Sequence, residues 1–408
     1  MLTYDPDVII PLDQSTSCKF LEGIKVVESA NYVAAPVCGR LLADYGAEVI
    51  KIERPSGDAW RKVGTKVSII AEEDANPFFD MYNSGKKSVV INQKDPKEFD
   101  LLKKLISTAD VFLTNTRMKS LEKIGLDPVT LRKENDSLIY ASITGYGIEG
   151  SERDMPGFDS TAFWARSGMM LDLPLEIDNQ YPIGQPSCIG DTIAGSLLFA
   201  GILGALINRA KTGKGDFVTT SLLQTGLWVS NAMVMMCQDK FGEKFPIRRY
   251  ESDGLALAYK CSDDRWFQIG LMDYDRYVPR LFKVLGVPEL FEDPRFCCED
   301  ECRKDENMAQ LIKILEGCFI KKSSEEWFEL LKREDIFGCI LPHFQDVSKD
   351  EQAWANGYLE NFATPSGLEC VMVCPPFRFG SIGSFRSTPA PYLGQDTKEV
   401  LVEIMDNT

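Results

Sequence analysis

The sequence predicts an α/β protein: an open, mostly parallel sheet with helices on both faces, followed by a smaller α/β domain. Three observations predict it. Short β-rich runs alternate with helical patterns through roughly the first third of the chain, as strands joined by crossover helices do. From about residue 230 the pattern changes to a hairpin followed by amphipathic helices. A hydrophobic content of 44% in 408 residues is enough for a full core.

The elements follow in order. Beyond an N-terminal extension over 1–20, GIKVVESA (23–30) reads as a short buried strand and APVCGRLLADYGA (35–47) as a helix stopped at Gly46. EVIKIE (48–53), KSVVIN (87–92), DVFLTN (110–115) and LIYASITG (138–145) are further strands. Helical patterns such as PKEFDLLKKLISTA (96–109) and SLEKIG (120–125) separate them. The uncharged run from Thr192 to Asn208 predicts a helix that ends at Gly213, with Arg209 and Lys211 against the negative end of its dipole. GLALAYKCSDDRWFQIGL (254–271) reads as an antiparallel hairpin turned at Ser262-Asp263-Asp264-Arg265. Three amphipathic helices follow, with Ser323-Ser324-Glu325-Glu326 capping the last of them. The resulting division is a large domain over 1–225, a small α/β domain over 226–339, and a segment over 340–408 whose short strands return to the large domain.

Composition excludes several functions. A net charge of −16 argues against gripping nucleic acid or an anionic membrane, so an anionic ligand needs a local cationic patch. The N-terminus MLTYDPDVIIPLDQS lacks the basic start of a secretory signal, and twelve cysteines without a C-x-x-C fit reduced thiols. A cytoplasmic location is expected. The one cysteine cluster is Cys297, Cys298 and Cys302, and no metal site is expected. A single histidine, His343, rules out multi-histidine zinc sites and histidine-pair acid/base schemes.

GYGIEG (Gly145 to Gly150) matches G-x-G-x-x-G after a strand, but a polar, Pro156-interrupted segment follows where the motif should open a helix. It reads as a glycine-rich turn at the carboxyl edge of the sheet. The run 192–208 approaches the length of a membrane span. Its small residues Ala194, Gly195, Ala200, Gly201, Gly204 and Ala205 recur at helical spacing, which suits close packing in a soluble core. Asp191 stands where this helix begins. It is either an N-cap carboxylate or a nucleophile kept ionised by the helix end, with Gly190 giving a substrate access.

Several segments together resemble the class III CoA-transferases, the family of formyl-CoA transferase and carnitine CoA-transferase. They are LEGIKVVESANYVAAPVCGRLLADYGAEVIKIERPSGD, PFFDMYNSGKKSVVIN, ADVFLTNTR, ASITGYGIEG, PGFDSTAFWARSG and GDTIAGSLLFAGILGALINRAKTGKGD, in order, between about Leu21 and Pro391. With ANYVAAP and DEQAWANGYLENF, the chain is most similar to clostridial members that act on 2-hydroxy acids such as phenyllactate or 2-hydroxyisocaproate. The resemblance implies a Rossmann-like large domain built from both ends of the chain, an inserted small domain and an interlocked homodimer. It makes Asp191 the catalytic nucleophile, passing through an aspartyl anhydride and an aspartyl-CoA thioester. It places CoA against Val33 and Ala34 backbone, Arg54, Lys86, Asn115 and, less conservatively, Lys123 in an arginine position. No permanently bound cofactor is implied, because the CoA thioester is substrate. Metabolic coupling to a 2-hydroxyacyl-CoA dehydratase follows from the branch.

Two departures stand out. YESDGLALAY lacks the glycine run that shields the aspartyl intermediate in formyl-CoA transferase. Gly157-Phe158-Asp159 stands where related 2-methylacyl-CoA racemases carry Gly-His-Asp, so the racemase alternative loses its base. A non-catalytic CoA-binding protein is the other alternative, against which Gly190-Asp191 speaks. NAMVMMC (231–237) and AFWARSGMM (162–170) suggest an apolar, adaptable acyl pocket.

Overall fold

The computed structural model describes residues 20–63, 76–173, 184–243, 245–377, 379 and 387–406. The expected extension over 1–20 therefore lies outside the described residues except for Phe20. The chain forms two compact units, one from Met1–Met169, Gly184–Met236 and Asp350–Thr408, the other from Met170–Ile183 and Cys237–Lys349.

The larger unit opens with β1 (Lys25–Ser29), α1 (Ala34–Asp44) and β2 (Glu48–Glu53). It continues through α2 (Pro77–Asn83), β3 (Lys87–Val90), α3 (Pro96–Ser107), β4 (Val111–Thr114), α4 (Met118–Ile124), α5 (Pro128–Glu134) and β5 (Ile139–Thr144). A π-helical stretch (Asp159–Ala165) follows, then the turn α6 (Met169–Asp172), which belongs to the smaller unit from Met170 on, and then the long α7 (Ile189–Thr212), β6 (Phe217–Ser221), α8 (Leu222–Val229) and α9 (Asn231–Met236). The six strands form one parallel sheet in the order β3-β2-β1-β4-β5-β6. Val26 of β1 sits between Val49 and Val111, and Ser29 pairs with Thr114. Both faces are covered, so the central strands are buried along most of their length, and the buried charges Glu28 of β1 (KVVES) and Lys51 of β2 (EVIKIE) are paired inside. One face carries Leu102 and Leu105 of α3, Leu121 of α4 and Leu131 of α5 in a core with Val27, Ile50 and Phe112.

On the other face α1 packs along α7. Gly195 makes that possible, since a Cβ there would strike the Ala34 carbonyl and the Val37 side chain. The small-residue stripe is used on one side only, because Ala194, Gly195 and Ala205 are buried while Ala200 and Gly204 are exposed among the described residues. α7 is the one described helix long and apolar enough to cross a membrane by length and composition. α8 lies on the π-helical stretch, where a Cβ on Gly226 would come within 2.8 Å of the Phe163 carbonyl, so residues 222–229 stay with this unit.

A buried ion network braces the start of the sheet. The Lys51 ammonium bonds Glu28 Oε1 at 3.0 Å, Asp58 Oδ2 at 2.9 Å and the Ala30 carbonyl at 3.0 Å, with both side-chain partners fully buried. Lys86 closes on Glu28 Oε2 at 2.7 Å.

The smaller unit holds β7 (Ala258–Lys260), β8 (Trp266–Ile269) and β9 (Gly338–Ile340) in an antiparallel sheet. Its helices are α10 (Tyr274–Leu285), α11 (Glu299–Cys302), α12 (Asp305–Phe319), α13 (Ser324–Arg333) and α14 (Phe344–Val347). The hairpin turns where the sequence places it, with Cys261 N–H donating to the Arg265 carbonyl at 2.8 Å and Asp264 at φ +66°. Ser323 and Glu326 form the expected capping box at the start of α13. Tyr259 stacks on Phe319 at 4.9 Å in the core. Cys297 is exposed, Cys298 half-buried and Cys302 buried, and no group of metal-binding side chains forms among the described residues. His343 is exposed, with its N–H donating to Asp346 at 3.2 Å.

The chain then returns to the larger unit through α15 (Glu351–Ala355), the antiparallel pair β10 (Leu359–Ala363) and β11 (Glu369–Val373), and α16 (Thr397–Asp406). The return starts near residue 350 rather than 340, because residues 338–340 are still a strand of the small sheet. It also closes the sheet edge. Ser88 N–H donates to Asp396 Oδ2 at 2.7 Å and Val90 N–H to Thr397 Oγ1 at 3.0 Å, so β3 offers no free strand edge at these groups.

Candidate active site

In a sheet ordered 3-2-1-4-5-6, β1 is followed by a crossover to one side and β4 to the other, which opens a crevice at their carboxyl ends where ligands bind. A cavity of about 870 Å³ lies there, lined by residues just past the strand ends: Asn31 after β1, Arg54 after β2, Lys94 after β3, Asn115 after β4 and Gly145 after β5. Asp191 also lines it.

Its cationic wall is Arg54, Lys94 and Arg117, none of which has a carboxylate partner among the described residues. In a chain of net charge −16, three unpaired cations on one cavity amount to a local patch for phosphate. The first turn of α1 adds amide donors. Val33 is its N-cap and has no capping side chain, Pro36 has no N–H, and Ala34 lines the cavity. Asn115 fixes the approach to this turn, accepting from Asn31 N–H at 3.1 Å and donating to the Asn31 carbonyl at 2.6 Å.

The acidic wall is built at the start of α7. Cys188 is the N-cap, at φ +69°, and Asp191 is the third helical residue rather than the cap. The expectation of a low Asp191 pKa is overturned. Burial pushes its carboxyl up to about 7, and the Asp159 carboxylate adds to the rise. A helix end is worth less than a pKa unit at an exposed site, too little to offset desolvation and a like charge. Asp159 is buried, faces the N–H groups of Cys188, Gly190 and Asp191, and has its own pKa raised by burial despite them. Gly190 leaves room for this arrangement, since a Cβ there would strike Phe163 and Asp159. The Tyr82 hydroxyl lies beside the Cys188 thiol and the Thr192 side chain at the same turn.

The family description CoA-transferase family III matches residues 21–397. The chain belongs to that family. The family III chain is 38% identical over 382 residues to the (R)-2-hydroxy-4-methylpentanoate CoA-transferase of Clostridioides difficile, covering 93% of this chain and 94% of that one. It is 38% identical to the cinnamoyl-CoA:phenyllactate CoA-transferase of Clostridium sporogenes, with 94% and 92% covered. The fold superposes on a CAIB/BAIF family protein from Brucella suis with a TM-score of 0.78 at 28% identity, over 95% of this chain and 100% of that one. This CoA-transferase is therefore an enzyme whose substrates are CoA thioesters.

Of the residues singled out in this CoA-transferase's sequence, Ala34, Arg54, Asn115 and Asp191 meet on the cavity, with Val33 buried behind Ala34. Two expected CoA contacts are corrected. Lys86 is buried, donating to the Pro36 carbonyl at 2.9 Å and Asn83 Oδ1 at 3.0 Å besides its Glu28 pair, and burial pulls its pKa down to about 8. Lys123 lies on the exposed face of α4, whereas Ser120, Leu121 and Ile124 of that helix line the cavity. The two stretches expected to form an acyl pocket do not line it either: Phe163, Trp164 and Met169 are core, and Met235 is exposed. Lys94, Arg117, Asp159 and Tyr32 were not singled out. For the first two a signal exists, because both follow closely on the end of a parallel strand, as Arg54 does.

Proposed function

We propose that the enzyme moves CoA from an acyl-CoA, typically an enoyl-CoA, to an apolar (R)-2-hydroxy acid of the phenyllactate or 2-hydroxyisocaproate kind, with Asp191 as nucleophile. The observation that carries the reading is one cavity bearing both the Asp191 carboxylate and three cations without a carboxylate partner among the described residues, Arg54, Lys94 and Arg117, at the switch point of the sheet. The names of the two relatives at 38% identity support the acid class.

Asp191 attacks the thioester carbonyl and expels CoA thiolate, forming an acyl-aspartyl anhydride. The thiolate attacks the aspartyl carbonyl of that anhydride and releases the donor carboxylate, leaving an aspartyl-CoA thioester. The acceptor carboxylate attacks this thioester and frees the thiolate again. The thiolate then attacks the acceptor's acyl carbonyl, so the new acyl-CoA leaves and Asp191 is regenerated. Each step is attack on an activated carbonyl, which a direct exchange between carboxylates would lack. Arg54, Lys94, Arg117 and the α1 amides hold the CoA phosphates and fix the thioester against Asp191. No metal and no resident cofactor takes part. We further infer a cytoplasmic, interlocked homodimer whose 2-hydroxyacyl-CoA product feeds a dehydratase.

Hydroxylamine added during turnover tests the chemistry. It should convert Asp191 to a hydroxamate found by peptide mass spectrometry, and Asp191→Ala should abolish both transfer and trapping. Full activity in that variant would end the mechanism.

A further inference from the structure

Tyr32 adopts a backbone conformation that L side chains rarely take, with φ at +64°. The surrounding fold over-determines it. Tyr32 N–H donates to Asp58 Oδ1 at 3.1 Å, and Asp58 is itself buried and tied to Lys51 at 2.9 Å. On the other side, Asn115 grips both the N–H and the carbonyl of Asn31. Strain held from two sides in this way is characteristic of functional positions.

Its effect is to hold a phenol ring out in the cavity. Tyr32 is 43% exposed and meets Phe158, 54% exposed, edge to face with ring centroids 6.0 Å apart at 86°. Both line the cavity. Phe158 is fixed from behind, because a Cβ on Gly145 would come within 2.7 Å of Gly157 Cα and the Phe158 N–H donates to Thr161 Oγ1 at 3.0 Å. Phe158 directly precedes Asp159, and Asp191 lines the same cavity as the ring pair.

We propose that Tyr32 and Phe158 form the aromatic wall that selects the acyl group, favouring acids with an aryl or branched-alkyl side chain. The proposal rests on the CoA-transfer reading above. An apolar side chain packs against a ring edge or face and displaces water there, whereas a small acid leaves the wall wet. An aromatic pair also attracts quaternary ammonium, so carnitine is the competitor that separates the two chemistries.

Tyr32→Gly is the informative truncation, because glycine keeps the left-handed backbone while removing the ring. For wild type, Tyr32→Gly, Tyr32→Phe and Phe158→Ala, kcat/KM is measured with phenyllactate, 2-hydroxyisocaproate, lactate and carnitine, and the Kd for CoA by calorimetry. Tyr32→Gly and Phe158→Ala should lower kcat/KM for the two bulky apolar acids ~10- to 100-fold and for lactate by less than ~3-fold, with the CoA Kd nearly constant. Tyr32→Phe should restore the preference that Tyr32→Gly loses. Equal losses for all acids, a rise in the CoA Kd, or wild-type preference for carnitine would each overturn the proposal. A wild-type enzyme inactive with every acid and untrapped at Asp191 would instead overturn the CoA-transfer reading on which it rests.

Discussion

Asp191 lies in the first turn of α7, where a helix end favours a carboxylate, yet burial, with the Asp159 carboxylate adding to it, holds the carboxyl protonated up to about pH 7. The attacking species is the carboxylate, so kcat/KM for acyl-CoA should rise with pH through about 7 and level off above it. Asp159→Asn should move that limb toward lower pH; an unmoved limb would mean that burial alone sets it. The sign for stability is the reverse of the sign for activity. A carboxyl whose pKa rises from 3.8 to about 7 on folding stabilises the fold while protonated and loses that contribution as pH climbs through 7. Asp191→Asn should therefore raise Tm by a few degrees at pH 8 and leave it unchanged at pH 4, read by thermal scans at both. On the phosphate side, Arg54→Ala or Arg117→Ala should raise the KM for acyl-CoA ~10- to 100-fold and leave that for the acid nearly unchanged, the loss of one charge-assisted contact. The position of Asp191 was legible from Gly190-Asp191 before an apolar run. Its ionisation was not, because burial comes from the folded surroundings and the added charge from Asp159, 32 positions away in sequence.

At the scale of elements, two substitutions separate packing from binding. Lys86→Ala leaves Glu28 buried with one partner fewer, and removing one side of a buried pair costs ~3–5 kcal/mol. It should lower Tm sharply without a selective rise in the KM for CoA, the opposite pattern to Arg54→Ala. Gly195→Val drives two methyl groups into the Ala34 carbonyl and Val37, and overpacking of this kind costs ~1–3 kcal/mol. Urea unfolding should show that loss, with activity falling alongside because α1 and α7 bring Ala34 and Asp191 to the cavity. The helical patterns and the small-residue stripe of α7 could be read from spacing alone. The reason for Lys86 could not. A lysine after a glycine and before a strand looks like a phosphate contact, and only the folded chain brings Glu28, Asn83 and the Pro36 carbonyl around it.

For the whole molecule, the alternation of strands and helices revealed a parallel sheet because each parallel pair needs a crossover, but no residue marks which strand neighbours which. The order 3-2-1-4-5-6, and with it the position of the crevice, emerged only from the fold. One feature of the larger unit points beyond a single chain. α7 leaves Leu197, Ala200, Gly204 and Ile207 exposed among the described residues, and Trp228 of α8 is 66% exposed. Apolar surface in such amounts marks an interface in a protein of this charge. A second copy, threaded as the resemblance implies, is the proposed occupant. The enzyme should then sediment at twice the 45.7 kDa of the chain, and Ile207→Asp should weaken that assembly. Interlocking makes a sharper prediction than dimerisation alone, because two closed rings cannot trade subunits without opening. Tagged and untagged dimers mixed under native conditions should stay unmixed for days, and denaturing and refolding the same mixture should give roughly half heterodimers by random pairing. Exchange within minutes in native buffer would show an ordinary face-to-face dimer, and a monomer at every concentration would remove the second copy altogether.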